Sequence, residues 1–226
     1  MGRDMHPNAV LVIGLGRFGS TLAESLQRLG HDVVAVDTDR DLVQEWSGTL
    51  SHVVEADATS EAALRQLGAD GFDRAVVSIG VDIEASLLAT GTLLDLGVPE
   101  VWAKAITRQH GRILERIGAS HVVYPERDAG ERVAHLLSGR LIDFVEFDKG
   151  FAVAKLRAPG SICGATMDVV RPRTRFGVTV VGVKRPGTEF THVVADTVLG
   201  HDDLIIVTGR TDEVERFAAA TGARPA

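Results

Sequence analysis

The sequence predicts an α/β protein in which a doubly wound parallel sheet is followed by a small α+β domain. The stretch from Asn8 to Ile13, apolar after its first residue, leads directly into glycines at positions 14, 16 and 19, which indicates a strand that turns tightly into a helix. Apolar runs and helical patterns then alternate as far as about residue 140, and such uninterrupted apolar runs are typical of parallel strands covered on both faces. Beyond residue 141, short β-rich runs joined by Pro-Gly turns indicate a second domain.

The glycine loop, residues 14–19, predicts a nucleotide-binding turn. Gly14 permits the tight turn, Gly16 lets the backbone approach a pyrophosphate, and Gly19 lets the helix pack closely on the strand. The N–H groups at such a helix start lack partners within the helix and carry a partial positive charge, which suits a phosphate. A second strand ends in Asp37, 18 residues beyond Gly19, where a carboxylate accepts hydrogen bonds from a ribose diol. The combination is typical of a Rossmann-like nucleotide-binding domain, and the alternative is an empty, vestigial Rossmann fold.

Six parallel strands are predicted for the first domain, which is expected to span residues 1–140. The strands are Val10–Ile13, Val33–Val36, His52–Glu55, Arg74–Ser78, Glu100–Ala103 and His121–Val123. Helices separate them, and a last helix is predicted from about Glu126 to Ser138. A strand order of 3-2-1-4-5-6 would place the ligand at the carboxyl ends of strands one and four, where the winding reverses.

The second domain is predicted to span residues 141–226 as a small α+β unit. Its expected strands are Phe144–Phe147, Ala152–Leu156, Val178–Val183 and Leu204–Val207. A terminal helix is predicted from Asp212 to Ala220, with Thr211 as its N-cap and Gly222 as its stop.

Composition excludes several classes of function. The chain has 226 residues, 45% of them hydrophobic, and no apolar run near the length of about 20 residues that spans a bilayer. The net charge of −7 and the absence of a basic run argue against binding to nucleic acid. Residues 1–7 show neither a secretory signal nor a myristoylation motif. Since the one cysteine, Cys163, has no partner for a disulfide, we expect a cytoplasmic protein.

Residues for an enzymatic reaction are not evident. A hydride-transfer enzyme needs a His, a Lys or a Tyr with a nearby Lys to move the substrate proton. The one tyrosine, Tyr124, has no lysine at helical spacing, and the eight histidines form no metal-ligand pair. Cys163 has no neighbouring cation that would lower its pKa, so we expect it to serve as a small buried hydrophobe. The sequence therefore favours a binding protein over a dehydrogenase.

Over nearly its whole length, the chain resembles the regulator-of-potassium-conductance (RCK) family, which includes TrkA-like and KtrA-like proteins. Residues 8 to about 140 resemble the family's N-terminal nucleotide-binding domain, and residues 141 to about 220 resemble its C-terminal domain. The resemblance rests on five elements: Gly14-Leu-Gly-Arg-Phe-Gly19, Asp37, Ala56-Asp-Ala-Thr59, Ala103-Lys104 and Pro125-Glu-Arg-Asp128. It extends to the turn from Leu199 to Asp203, where the family usually has a Gly-Asp pair and this chain has His201 in place of the glycine. Glycine adopts a left-handed backbone without strain and histidine does not, so the replacement argues against a left-handed turn at position 201.

The resemblance implies a cytoplasmic gating subunit rather than an enzyme. Such a protein would form dimers and an octameric ring beneath a membrane potassium-translocating subunit of the Trk or Ktr type. Exchange of ATP and ADP, or of NAD and NADH, would control ion flux, with a divalent cation near the phosphates. A free-standing NAD(H)-dependent redox sensor and an NAD-dependent oxidoreductase are the alternatives.

The predicted nucleotide site draws on five segments of the chain. It comprises Gly14, Leu15, Gly16, Arg17, Phe18, Gly19, Asp37, Thr38, Asp57, Ala58, Ile79, Gly80 and Lys104. A guanidinium at the positive end of a helix dipole is locally unfavourable, so Arg17 suggests an anion nearby, either a terminal phosphate or a neighbouring subunit's nucleotide. The alternative is a solvated arginine.

The other site residues also have two interpretations. The family resemblance assigns Asp57 and Ala58 to the adenine edge, but Thr59 or Ser60 capping of the next helix would explain the segment equally well. Gly80 allows a ligand to approach the switch point, and Lys104 either reaches phosphates or is a plain strand-end charge.

Glu126 is the predicted metal ligand. In resembling proteins, a glutamate of the Pro-Glu-x-Asp element helps to bind a cation near the phosphates at a subunit contact. Alternatively, the helix dipole alone favours an acidic residue in this first turn. In the second domain, Arg171, Arg173 and Arg175 either meet a small anion across a dimer interface or form a solvated edge.

Overall fold

A computed structural model of the chain describes residues 6–137, 140–147 and 150–219. Backbone contacts divide the chain into two compact units, residues 1–127 and 128–226. The division falls within one helix, whereas the sequence predicted a domain boundary at residue 140. The predicted division into domains at residues 1–140 and 141–226 stays a prediction. The predicted ends of two helices, Ser138 and Ala220, and the stop at Gly222 lie outside the described residues.

Strands and helices alternate throughout the first unit. Its elements are β1 (His6–Ile13), α1 (Arg17–Arg28), β2 (Asp32–Asp37), α2 (Arg40–Trp46), β3 (His52–Glu55), α3 (Glu61–Gln66), β4 (Phe72–Val77), α4 (Ile83–Asp95), β5 (Glu100–Lys104), α5 (Arg108–Ile117) and β6 (His121–Val123). Helix α6 (Pro125–Leu137) begins in this unit and continues into the second. The sheet order is β3-β2-β1-β4-β5-β6 and every neighbouring pair is parallel. The predicted Rossmann-like fold, its six strands and their order are confirmed.

Strand β1 builds the core on both faces of this sheet. Leu11 and Ile13 belong to an apolar cluster on the face that α4 covers, while Val10 and Val12 belong to the cluster under α1 and α2. All four side chains are at most 3% exposed. Because successive strand residues point to opposite faces, a strand segment covered on both faces must be apolar at every position, as β1 is from Ala9 to Ile13.

The second unit contains an antiparallel five-stranded sheet and short helices. Its elements are β7 (Leu141–Phe147), β8 (Phe151–Arg157), α7 (Met167–Val170), α8 (Pro172–Phe176), β9 (Thr179–Lys184), β10 (Thr191–His192), β11 (Leu204–Arg210) and α9 (Thr211–Ala219). The order is β10-β9-β11-β8-β7. The sequence did not predict β10, because a two-residue edge strand is too short to show an alternating pattern.

Local details of the second unit differ from the predictions. Thr211 is the first residue of α9, and its hydroxyl donates to the Glu146 carboxylate at 2.9 Å instead of capping the helix. Arg171 is the one non-glycine residue of the described chain with a positive φ, at 50°, so the backbone at His201 is not left-handed. The turn is closed instead by Asp203, whose buried carboxylate accepts from the Gly200 N–H at 2.8 Å.

Arginines 171 and 175 donate hydrogen bonds to backbone carbonyls of α7. Arg171 Nε donates to the Asp168 carbonyl at 3.2 Å, and a guanidinium nitrogen of Arg175 donates to that of Val170 at 3.4 Å. The segment forms α7 and α8. An anion-binding role for Arg171, Arg173 and Arg175 stays a prediction.

Candidate functional site

The glycine loop is fixed to the strands on both sides of β1. Gly14 has φ = +94°, and its N–H donates to the Val36 carbonyl of β2 at 2.7 Å. On the other side, the Ser78 hydroxyl lies 2.9 Å from the carbonyl oxygen of Ile13 and 2.6 Å from that of Gly14. The loop therefore has one defined position at the sheet edge where β1 and β4 end, which is the switch point of the fold.

Two glycines of this loop serve different physical needs. A Cβ at Gly19 would collide with the carbonyl oxygen of Gly14 and with the Ser78 hydroxyl, so the close packing of α1 requires a glycine there. A Cβ at Gly16 would meet nothing within 4 Å, and its backbone, with φ −62° and ψ 179°, suits any residue. Nothing in this chain requires glycine at position 16, whereas the close approach of an external group would.

The N-terminus of α1 differs from those of the next four helices. Helices α2, α3, α4 and α5 each have a capping side chain that accepts from a first-turn N–H; the caps are Asp39, Ser60, Asp82 and Thr107. Helix α1 begins at Gly16 with no side-chain cap and no acidic residue in its first turn. Its first residue, Arg17, is exposed. The partial positive charge of this helix start is therefore not neutralised by its own first turn.

Asp37 ties the glycine loop to the end of β2. One carboxylate oxygen accepts from the Leu15 N–H at 2.6 Å, and the other accepts from the Asp39 N–H at 2.9 Å. Asp37 is half-buried, and Thr38 beside it is exposed. Since a carboxylate offers about four acceptor positions, two remain for hydroxyl donors such as a ribose diol.

Lys104 is buried at the carboxyl end of β5. Its side chain is only 11% exposed, and its ammonium lies 2.6 Å from the Glu126 carboxylate. The same nitrogen lies 5.7 Å from the centre of the Phe18 ring, at a distance typical of a cation–π contact. A Cβ at Gly80 would approach it to 3.1 Å. Lys104 is thus not a solvated strand-end charge; it brings together the starts of α1 and α6 and the loop after β4.

Glu126 is the exposed partner in this pair, with 62% of its side chain accessible. The hydrogen bond from Lys104 lowers the pKa of the Glu126 carboxyl, and the charges of Lys104 and Arg17 lower it further. Within the described residues, no group of three or more His, Cys, Asp or Glu side chains is arranged to hold a metal ion. A cation role for Glu126 therefore needs phosphate oxygens or water to complete the shell, and it stays a prediction.

Asp57 and Ala58 lie at the end of β3, next to the end of β2. The Asp57 carboxylate accepts from the Thr59 hydroxyl at 2.7 Å and from its N–H at 2.9 Å, and these bonds lower the pKa of Asp57. Of the two candidate caps, Ser60 is the one that accepts from α3, through the Ala63 N–H at 3.3 Å. The Ala58 side chain is buried in the core. Contact of Asp57 and Ala58 with an adenine stays a prediction.

Ser78 is the site residue that sequence reasoning missed. It follows the last apolar residue of β4, is 7% exposed, and clamps the glycine loop. In the sequence, the feature that could have identified Ser78 is a hydroxyl residue at the end of an apolar strand. Its meaning depended on β4 lying beside β1, because 64 residues separate Ser78 from Gly14.

Cys163, His52, His121 and His192 are not among the residues that form this site. Cys163 is half-buried, and its thiol donates to the Pro159 carbonyl at 3.2 Å. Burial raises the pKa of this thiol, and the negative charge of Asp203 raises it further. His121 stacks on Trp102 with ring centres 4.0 Å apart. His52 and His192 are exposed strand residues. None of these contacts activates a nucleophile or a base.

Comparison with known proteins identifies the two halves of the chain. Residues 10–125 match the family model of the TrkA-N domain, and residues 152–222 match that of the TrkA-C domain. The chain belongs to the RCK family of TrkA-like and KtrA-like proteins. It is 36% identical to the "Ktr system potassium uptake protein C" of Bacillus subtilis (strain 168) over 207 residues, which cover 91% of this chain and 94% of that relative.

A second relative of this RCK chain shows the same extent of match. The "Ktr system potassium uptake protein A" of Vibrio alginolyticus is 38% identical over 204 residues, covering 90% of this chain and 93% of that protein. Among solved structures, the "GsuK RCK domain" aligns with all of this chain at a TM-score of 0.67 and 20% identity. This chain covers 50% of that chain's length, and at such identity the likeness shows the fold alone.

No helix in the described part of this RCK chain is long and apolar enough to cross a bilayer.

Proposed function

We propose that this chain is a cytoplasmic, nucleotide-responsive regulatory subunit of a membrane potassium transporter or channel. The observation that carries the proposal is the start of α1, which has neither a side-chain cap nor an acidic residue and which begins with an exposed arginine. A phosphate bound there would supply the acceptors and the negative charge that the chain itself does not. The similarity to Ktr system potassium uptake proteins supports the class of partner.

The nucleotide would lie across the switch point of the sheet. The glycine loop, with Leu15 and Phe18, would receive the phosphates, and Asp37 with Thr38 would receive the ribose hydroxyls. The adenine edge would face Asp57 and Ala58 at the end of β3. Ile79 and Gly80 would leave room for the ligand on the β4 side, where Lys104 provides a buried positive charge. The acidic residue at position 37 disfavours NADP, because a 2′-phosphate would meet a carboxylate.

Arg17 would distinguish ATP from ADP. Its exposed guanidinium can bind a terminal phosphate through two hydrogen bonds, and its charge already acts on Glu126. A cation held between that phosphate and Glu126 would stabilise the ATP state further, while ADP would lack both contacts. A preference of about 1 kcal/mol at each of several identical sites would add up to the roughly 5.5 kcal/mol that reverses a two-state equilibrium.

Assembly of several copies of the chain would couple their nucleotide sites. Large apolar side chains are exposed on α4, on α5 and in the segments just before them: Val81, Ile83, Leu88, Ile106, Ile113 and Ile117. A patch of this kind is typical of an interaction surface. We propose that copies of the chain associate through it into dimers and an octameric ring, which would act at the inner face of the membrane through its partner.

The test is to measure binding of ATP, ADP, NAD and NADH by calorimetry, with and without Mg²⁺, for the wild type and for Arg17→Ala. The proposal predicts tight binding of ATP and ADP, a loss of about tenfold in ATP affinity alone for Arg17→Ala, and tighter ATP binding with Mg²⁺. Arg28→Ala, at the far end of α1, is the matched control. Selective NADH binding that Arg17→Ala does not alter would overturn the phosphate-sensing mechanism and favour a redox sensor.

A further inference from the structure

We propose that the first unit has a second anion site, in the cavity between α5 and the β6–α6 junction, for a small ligand with two or more phosphate or carboxylate groups. The cavity has a volume of about 590 Å³ and is lined by Arg108, Gln109, Arg112, Tyr124 and Arg127. None of these residues belongs to the nucleotide site proposed above. The inference is therefore independent of that site.

The lining is rich in hydrogen-bond donors and positively charged. Three guanidinium groups offer N–H donors and no acceptor, the tyrosine hydroxyl adds a donor, and none of the five lining residues is acidic. Within the part of the chain that the structure describes, neither Arg108 nor Arg112 has an acidic partner within 4 Å. In a protein of net charge −7, Arg108 and Arg112 place two like charges beside one cavity, and a multiply charged anion would offset their repulsion.

The position of Arg108 strengthens the argument. It is the first residue of α5, whose first turn contains no acidic side chain. A cation at a helix N-terminus opposes the helix dipole, so both the helix start and the guanidinium would gain from a bound anion. Arg112 lies one turn further along the same face, as side chains four residues apart do.

Tyr124 is held in place by the shape of α5. A Cβ at Gly111 would collide with the Tyr124 hydroxyl, so only a glycine leaves room for the ring. The ring also packs on the buried cluster of Ala103, Ala105 and Leu114. The Arg127 guanidinium lies over the same ring, 5.0 Å from its centre. The tyrosine therefore fixes one wall of the cavity and orients one of its three cations.

The size and chemistry of the cavity define the ligand class. Its volume lies within the range of about 300–1,000 Å³ that is typical of small-molecule sites. Guanidinium groups bind phosphate and carboxylate through paired hydrogen bonds. Arg108 and Arg112, beside each other on α5, favour a ligand with several anionic groups over a single phosphate or acetate.

The experiment measures binding of pyrophosphate and of citrate by calorimetry to the full chain, with acetate as the singly charged control ligand. We expect both polyanions to bind, and the double variant Arg108→Gln/Arg112→Gln to weaken binding by about tenfold or more, since each arginine contributes charge-assisted hydrogen bonds. Arg116→Gln, an exposed arginine of the same helix outside the cavity, should change affinity by less than about twofold. If one polyanion binds and the other does not, the ligand class narrows to phosphates or to carboxylates.

Three results would overturn the proposal. The first is no binding of either polyanion, and the second is equal weakening by Arg116→Gln, which would show only a general charge effect. The third is binding that Arg17→Gln abolishes and the double variant leaves intact, which would place the anion at the glycine loop. Tyr124→Phe provides a finer test, because it removes only the hydroxyl and should weaken binding by a smaller factor. Sedimentation of the double variant reports whether the arginines serve an interface between copies instead.

Discussion

Helices α1 and α4 begin at the same edge of the parallel sheet, after the neighbouring strands β1 and β4, yet their N-termini are built differently. At α4, Asp82 accepts from the Ala85 N–H at 3.0 Å, and Glu84 adds a negative charge in the first turn. At α1, a glycine takes the cap position and an arginine follows it. Helix α4 neutralises its own start, whereas α1 has neither a side-chain cap nor an acidic residue in its first turn.

The difference also separates two glycines that the fold requires from a third that it does not require. Gly14 and Gly19 are fixed by backbone conformation and by packing against Ser78. Gly16 has an ordinary conformation and open space in front of it. The three glycines of the loop look alike in the sequence, but the fold requires Gly14 and Gly19, whereas Gly16 faces open space.

The largest expected effect comes from Gly19→Ala. The new methyl group would collide with the Gly14 carbonyl, and separating α1 from β1 should lower the free energy of unfolding by about 3 kcal/mol. Urea unfolding followed by tryptophan fluorescence measures this, because both tryptophans, Trp46 and Trp102, lie in the first unit. The control is Gly16→Ala, which should stay within about 0.5 kcal/mol of the wild type. Equal destabilisation by both variants would contradict the division of roles.

Glu126→Gln should have the next largest effect. The variant leaves the buried Lys104 ammonium without its carboxylate partner. We expect a loss of about 1–2 kcal/mol near pH 7, less than for a fully buried pair because Glu126 is exposed. The exposed Glu115→Gln, on α5, is the control.

The same pair makes the effect of Glu126→Gln depend on pH. Because the folded-state pKa of Glu126 is lowered, its stabilisation is present above the ordinary pKa and is lost as the pH falls through the folded-state value. The difference between wild type and variant should therefore shrink below about pH 4.5. Urea midpoints across pH 3–7 measure it, and a difference that is constant over this range would contradict the assignment.

A smaller effect is expected from Asp82→Ala, which removes the cap of α4. Loss of an N-cap costs about 1 kcal/mol of stability. Because α4 neutralises its own start, nucleotide affinity should stay within about twofold of the wild type. Asp95→Ala, at the other end of the helix, should leave stability nearly unchanged, since an acidic residue there does not favour the dipole. A large loss of nucleotide affinity in Asp82→Ala would mean that the two helix starts act together.

The sheet of the first unit could be predicted from the sequence because the signals for its strands and helices are local and recur along the chain. Uninterrupted apolar strands, helical spacing and the glycine loop each constrain the same topology, and the observed strand order agrees with them. Predictions failed where a contact joins distant residues. The clamp by Ser78 spans 64 residues, and the Glu146 carboxylate that takes the Thr211 hydroxyl lies 65 residues away.

The sequence proposed residues for the candidate site but could not give their environment. The motif pointed to Lys104, yet its burial against Phe18 and Glu126 depends on how three elements meet at one sheet edge. Asp37 was expected only as a ribose ligand, whereas its carboxylate also holds the Leu15 and Asp39 N–H groups. Both properties follow from the tertiary structure and have no signature in spacing.

Gly16→Asp tests the central claim most directly, because it gives α1 the kind of cap that α4 has. The backbone at position 16 is extended, as capping residues are. An aspartate there should raise the free energy of unfolding by a few tenths to about 1 kcal/mol. Calorimetry of ATP and ADP binding to this variant is the decisive measurement. The account predicts that affinity for both nucleotides falls by at least about a hundredfold, since a carboxylate would occupy the phosphate position. Wild-type affinity in a correctly folded Gly16→Asp protein would show that the start of α1 is not the phosphate site.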